Sequence, residues 1–221
     1  MKKLCLLLGL AMSLSFANAQ HLVFHAGGGL TSHFGSSTRN IGAFKIGAGV
    51  EFELSQTVTV EPGLLYFAKG WKDKDQTVFI YDDNGNIKLD KNGNQMTGQK
   101  NVTSNTNYIV LPVLFNYFLR LDTPHYIVFS AGPYAAYGIG GKTKTRGDTS
   151  LKGEYRYYYA QNSFDIGGMH RFDAGIIAGI GYEFNRQFDA GVEADCGLLN
   201  VSSNGGKNFS LLLTLGYRLQ L

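Results

Sequence analysis

Apolar side chains fall at every second position through long stretches of this chain, the two-residue period of a strand with unlike faces rather than the 3.6-residue period of a helix. Between residues 43 and 54, Phe44, Ile46, Ala48, Val50, Phe52 and Leu54 alternate with Ala43, Lys45, Gly47, Gly49, Glu51 and Glu53. Between 171 and 184, Phe172, Ala174, Ile176, Ala178, Ile180, Tyr182 and Phe184 oppose Arg171, Asp173, Gly175, Ile177, Gly179, Gly181 and Glu183. The segment 187–199 sets Phe188, Ala190, Val192, Ala194, Cys196 and Leu198 against Asp189, Gly191, Glu193, Asp195 and Gly197. Phe209, Leu211, Leu213, Leu215, Tyr217, Leu219 and Leu221 share one face of a further segment. The pattern predicts eight strands, at about residues 22–31, 43–54, 57–70, 105–120, 125–140, 171–184, 187–199 and 208–220.

The links between them alternate in length. Ser55-Gln56, residues 121–124 and Asn185-Arg186 are short, whereas 32–42, 71–104, 141–170 and 200–207 are long. Short periplasmic turns and longer extracellular loops mark outer-membrane barrels. The expected fold is therefore all-β: an eight-stranded antiparallel transmembrane β-barrel with both termini toward the periplasm.

The register of the charges decides which face meets lipid. With the apolar faces outward, Lys45, Glu51, Glu53, Glu61, Lys69, Arg120, Arg171, Asp173, Glu183, Asp189, Glu193, Asp195 and Arg218 share the interior. There, opposite charges can satisfy one another through hydrogen bonds. In the reversed orientation a basic group at the bilayer midplane would cost roughly 2–4 kcal/mol. A soluble lipocalin-like barrel would show the opposite arrangement, an apolar cup with a polar exterior. Eight strands enclose a space that side chains can fill, so the interior is expected to be occluded. Inward glycines such as Gly47, Gly49, Gly63, Gly175, Gly179 and Gly181 either ease sheet coiling or make room for long partners.

Composition and the chain ends fit this reading. Lys2 and Lys3, the apolar run Leu4 to Leu14, and Ala17-Asn18-Ala19 have the three parts of a secretory signal over residues 1–19, which places the barrel domain at 20–221. Removing Lys2 and Lys3 from the 20 basic residues leaves 18 against 17 acidic, a balance that argues against a nucleic-acid partner. Only Cys196 survives processing, so no intrachain disulfide is expected. No later stretch is long and apolar enough for a spanning helix.

Two loops hold candidate chemistry. In 71–104, Asp82, Asn84 and Asn86 have the opening spacing of a calcium loop, but Ile87 stands where that loop needs glycine and Gly93 where it needs glutamate. Two Asn-Gly turns account for the same residues, and no metal is expected. In 141–170, Lys142, Lys144, Arg146, Lys152, Arg156 and Tyr157 form a basic, aromatic set suited to lipopolysaccharide phosphates, a glycan or a surface protein. The five histidines lack metal-ligand spacing, no Gly-x-Ser-x-Gly elbow occurs, and neither enzyme activity nor a cofactor is expected.

EPGLLYFAKG at 61–70, YIVLPVLFNYFL at 108–119, AGPYAAYGIGG at 131–141, RFDAGIIAGIGYEF at 171–184 and LLLTLGYRLQL at 211–221 resemble the Bacteroidetes outer-membrane beta-barrel family called PorT-like. The resemblance implies a bacterial outer-membrane location, lipid and lipopolysaccharide as surroundings, and delivery by the barrel assembly machinery. It identifies no chemistry. The expected role is a small barrel of structural or surface-interaction type; the alternative is a narrow channel or an accessory component of a secretion system.

Overall fold

The computed structural model describes residues 21–34, 38–82, 84–122, 124–147, 157–203 and 205–221. The expected signal segment and the loop cations Lys152 and Arg156 lie outside the described residues. Among the described residues twelve strands follow in order. They are β1 (His21–Phe34), β2 (Thr38–Arg39), β3 (Ile41–Glu53), β4 (Val58–Asp73), β5 (Gln76–Phe79), β6 (Thr97–Asp122), β7 (His125–Gly140), β8 (Lys142–Gly147), β9 (Tyr157–Asn162), β10 (Phe172–Phe184), β11 (Phe188–Ser202) and β12 (Gly205–Gln220). A 3-10 turn, Ser163–Asp165, separates β9 from β10.

Every pairing between these strands is antiparallel. The hydrogen-bonded path runs β2, β4, β3, β1, β12, β11, β10, β7, β6, β8, β9, and β4 pairs in addition with β6. β1 and β12, far apart in sequence, pair from His21↔Gln220 to Phe34↔Lys207. The β4–β6 pairing curls the sheet back on itself, while β2, β5, β8 and β9 extend it on the side of the long links.

This corrects the expectation of an eight-stranded barrel. The domain is a twelve-stranded antiparallel sheet that does not close evenly. The eight alternating segments are strands β1, β3, β4, β6, β7, β10, β11 and β12, but links read as loops contain the other four. β6 runs for 26 residues and continues well above its apolar part, pairing there with β5 and β8. Strands with water on both sides need no apolar face, so the alternation that revealed the others is missing from them.

Alternating burial divides the sheet into an inner and an outer face. Glu51 is fully buried and Asp173 is 1 % exposed, whereas Phe172 is 55 % and Leu213 71 % exposed. β7, which is apolar on both faces, turns Val128, Tyr134 and Ala136 inward and Phe129, Tyr137 and Ile139 outward. Aromatic and aliphatic side chains also line part of the inner face, where Leu65, Phe67, Tyr108, Val110, Leu114, Tyr134, Ile177 and Leu212 belong to one buried cluster. Phe164, carried by the 3-10 turn, joins that cluster from the link before β10 and meets Tyr108 edge-on, with ring centroids 5.6 Å apart.

Candidate functional site

Three cations organise the inner face. At the end with short turns, Arg218 on β12 reaches across to three strands or turns. Its Nε donates to Glu51 Oε2 at 3.4 Å, and its Nη1 donates to Asp189 Oδ2 at 3.1 Å and to Glu183. Thr59 Oγ1 also donates to Glu51, at 3.0 Å, so this carboxylate is held from two sides. One layer further in, Glu61 lies 2.5 Å from His25 Nε2 and accepts from Asn116 Nδ2 at 3.1 Å.

Lys45 occupies the middle, paired with Glu193 and 3.8 Å from Asp195. Toward the long links, Lys69 Nζ donates to Asp173 Oδ2 at 2.8 Å. The rings of Tyr108, Phe67 and Tyr134 surround that ammonium, with centroids 4.6, 5.2 and 5.4 Å away. Asn208 Nδ2 and Tyr134 OH donate to the same carboxylate oxygen at 2.8 and 3.2 Å. A buried ammonium needs both its counter-ion and polarisable neighbours, and this site supplies the two together.

Ten of the thirteen charges assigned to the interior from sequence gather here. The other three sit elsewhere. Glu53 is exposed at the end of β3 and pairs with Arg186 at 3.6 Å. Arg120 is exposed near the end of β6. Arg171 precedes β10, where it pairs with Asp165 at 3.6 Å and donates to the Gly138 carbonyl at 3.0 Å. All three lie near a strand end, outside the layer where the other ten meet.

Several participants were invisible in the sequence. Arg186 and Asn185 form a two-residue turn with φ of 54° and 57°, a conformation that matches hairpin twist but is costly for a side chain as large as arginine. The Arg186 guanidinium lies 4.1 Å from the Phe118 ring centroid and near both Glu53 and Glu183, which closes the inner face at that end. Glycines make room for these contacts: a Cβ on Gly49 would lie 2.5 Å from Glu61 Oε1.

The result is a packed interior. One cavity of about 50 Å³ is lined by groups including His25, Glu61, Asn116, Asp189 and Arg218; another, of about 10 Å³, lies between Lys45, Glu61 and Glu193. The first has room for a few water molecules, the second for at most one. Among the described residues no group of three or more His, Cys, Asp or Glu side chains could hold a metal ion.

The chain between β5 and β6 turns twice in the same way. Asp82 Oδ1 accepts from the amides of Asn84 and Asn86, both at 2.9 Å, and Asp90 Oδ1 accepts from those of Asn92 and Asn94 at 2.8 and 2.9 Å. These carboxylate oxygens fasten the backbone of two Asn-Gly turns. The Asn86 amide foremost, then that of Asn84, holds the Asp82 carboxyl below the usual aspartate value. For Asp90 the same effect comes first from the Asn94 amide, then from its side chain and the Asn92 amide.

The cations of the 141–170 link are placed by β8. Lys142 and Arg146 are exposed and Lys144 is half-buried, while the intervening Thr143 turns inward, with its Oγ1 2.7 Å from Ser104 Oγ. Tyr157 begins β9 and pairs with Gly147.

Residues 6–203 match the model of the family described as outer membrane protein beta-barrel domain. The chain belongs to this family. It is a small β-stranded protein of the outer membrane, and its exposed apolar face meets lipid there. No curated protein matches it. Among solved structures it is similar to Neisserial surface protein A, at 13 % identity and a TM-score of 0.41, over 91 % of this chain and 96 % of that one. It is also similar to Ail, the attachment invasion locus protein of Yersinia pestis, at 12 % identity and a TM-score of 0.34, over 91 % and 97 %. The N-terminal beta-barrel domain of Pseudomonas aeruginosa OprF matches at 14 % identity and a TM-score of 0.34, over 91 % and 98 %.

Proposed function

We propose that this outer-membrane protein is a non-conducting structural and surface-interaction element, whose inner charges hold the sheet together and whose extended strands present a surface outside the cell. The observation that carries this reading is the filled inner face: Arg218, Lys45 and Lys69 each lie among carboxylates from other strands, and the cavities between them are of water size. Such a filled layer supports an occluded interior. Each of the three cations there is engaged with a carboxylate, which supports a structural, non-enzymatic role. The resemblance to PorT-like proteins belongs to the same reading through the quoted strand motifs, without carrying over a part in secretion.

Single-channel recording of the full chain in planar bilayers tests the proposal. No steady unitary conductance is expected. A reproducible open level would overturn the occluded reading and favour a narrow channel.

A further inference from the structure

Above the lipid-facing band, strand register aligns cations on the outer face. Arg39 pairs with Lys72, Lys72 with Thr103, and Thr103 with Lys144, so one lateral row crosses β2, β4, β6 and β8. Residues opposite one another in an antiparallel ladder share a face, and neighbours along a strand alternate. Thr143 and Ser104 bond to each other on the inner side, which places Lys142 and Lys144 outward together with Thr103. Arg146 pairs with Asn101 two positions higher on the same face. Asp75 is the carboxylate of this patch, 3.1 Å from Arg39 Nη1 and accepting from Asn101 Nδ2 at 2.5 Å. Lys72, Lys142 and Lys144 make no ion pair among the described residues.

The same outer face is apolar lower down, with Ile139 and Tyr137 on β7 and Leu111 on β6 more than 45 % exposed. At about 3.3 Å per residue and a tilt near 40°, Lys142 stands roughly 8 Å above Ile139, and Lys144 roughly 13 Å above it. A phospholipid headgroup zone extends only about 5–8 Å beyond the hydrocarbon. With Ile139 at the edge of the hydrocarbon, Lys142 falls within that zone and Lys144 beyond it, at the height of a larger, phosphorylated sugar headgroup.

We propose that Arg39, Lys72, Lys142 and Lys144, joined by Arg146, form a stripe that binds the phosphates of lipopolysaccharide in the outer leaflet around the protein. The inference rests on the surface-interaction reading above and assigns it a partner. Continuity of the basic stripe with the lipid face selects a lipid headgroup over a soluble glycan. Among the described residues, Arg39, Lys72, Lys142 and Lys144 share that face with one carboxylate, Asp75, and this excess of positive charge selects phosphate.

The test uses the full chain in phosphatidylcholine nanodiscs doped with rough lipopolysaccharide, with the same glycolipid dephosphorylated, or with phosphatidylglycerol, and bound lipid is counted by native mass spectrometry after release into detergent. Wild type should retain the phosphorylated glycolipid, and K72Q/K144Q should retain roughly tenfold less. K91Q/K100Q removes equal charge from a turn and from the opposite face of the extension, and should match wild type. Equal retention by wild type and K72Q/K144Q, equal retention of the dephosphorylated glycolipid, or retention of phosphatidylglycerol to the same level would each overturn the stripe. Conductance is read separately, so an open channel that still retains the phosphorylated glycolipid would sink the occluded reading alone.

Discussion

Arg218 is the residue on which most of the inner face converges, since Glu51, Glu183 and Asp189 come from three different parts of the sheet and share one guanidinium. Removing it leaves Glu51 and Asp189 without a permanent counter-charge and Glu183 with only Arg186, at 3.9 Å. Arg218→Met should lower the stability of the folded protein by about 3–5 kcal/mol in urea unfolding. Leu213→Met, on the lipid face, should leave the midpoint nearly unchanged. A second prediction concerns Asp82 and Asp90, whose carboxyls are depressed by the amides they accept. A depressed carboxylate contributes its stability above the unfolded value, ordinarily 3.8, and loses it as pH falls through the folded value. Protection of the Asn84, Asn86, Asn92 and Asn94 amides, measured against their intrinsic exchange rates, should therefore hold at neutral pH and fall only below that ordinary value. The inward charges were legible because Lys45, Glu51, Asp173 and Glu193 alternate with lipid-facing side chains. The partnership of His25 with Glu61, and the role of Arg186, were not: a register shows a residue's side, while its partner depends on which strands lie across the enclosed space.

Among the elements, the 3-10 turn before β10 has the clearest structural task. Asn162 Oδ1 accepts from the Phe164 amide at 3.0 Å and fixes the turn, and Phe164 then lies over Tyr108 with the Arg171 guanidinium 5.0 Å from its ring centroid. Gly138 on β7 makes this possible, because a Cβ there would sit 2.1 Å from Phe164 Cζ. Gly138→Ala should displace the ring, lower the unfolding midpoint and speed amide exchange at Tyr108, whereas Ala136→Gly one turn of the pleat away should not move Phe164. Nothing in the sequence marked this turn, since a single buried aromatic in a polar link has no periodicity to betray it. β5, β8 and β9 escaped for a related reason. The hydrocarbon that enforces alternation along β3 or β10 does not reach them, and their polar residues read as loop.

At the scale of the whole molecule, outer apolar side chains and inner ion pairs act as one design: the hydrocarbon fixes which face must be greasy, and the charges then find partners only if every long strand keeps its register. That mutual constraint is why the membrane location was readable from alternation alone, while the strand count was not. The pairing of β1 with β12 has a further consequence. Neither strand can complete its ladder until the segments between them have been made and arranged, so a nascent chain carries two bare edges that would be intolerable in hydrocarbon. Closure in the membrane thus waits until both ends of the chain are present, and the two edges must stay out of hydrocarbon until they meet.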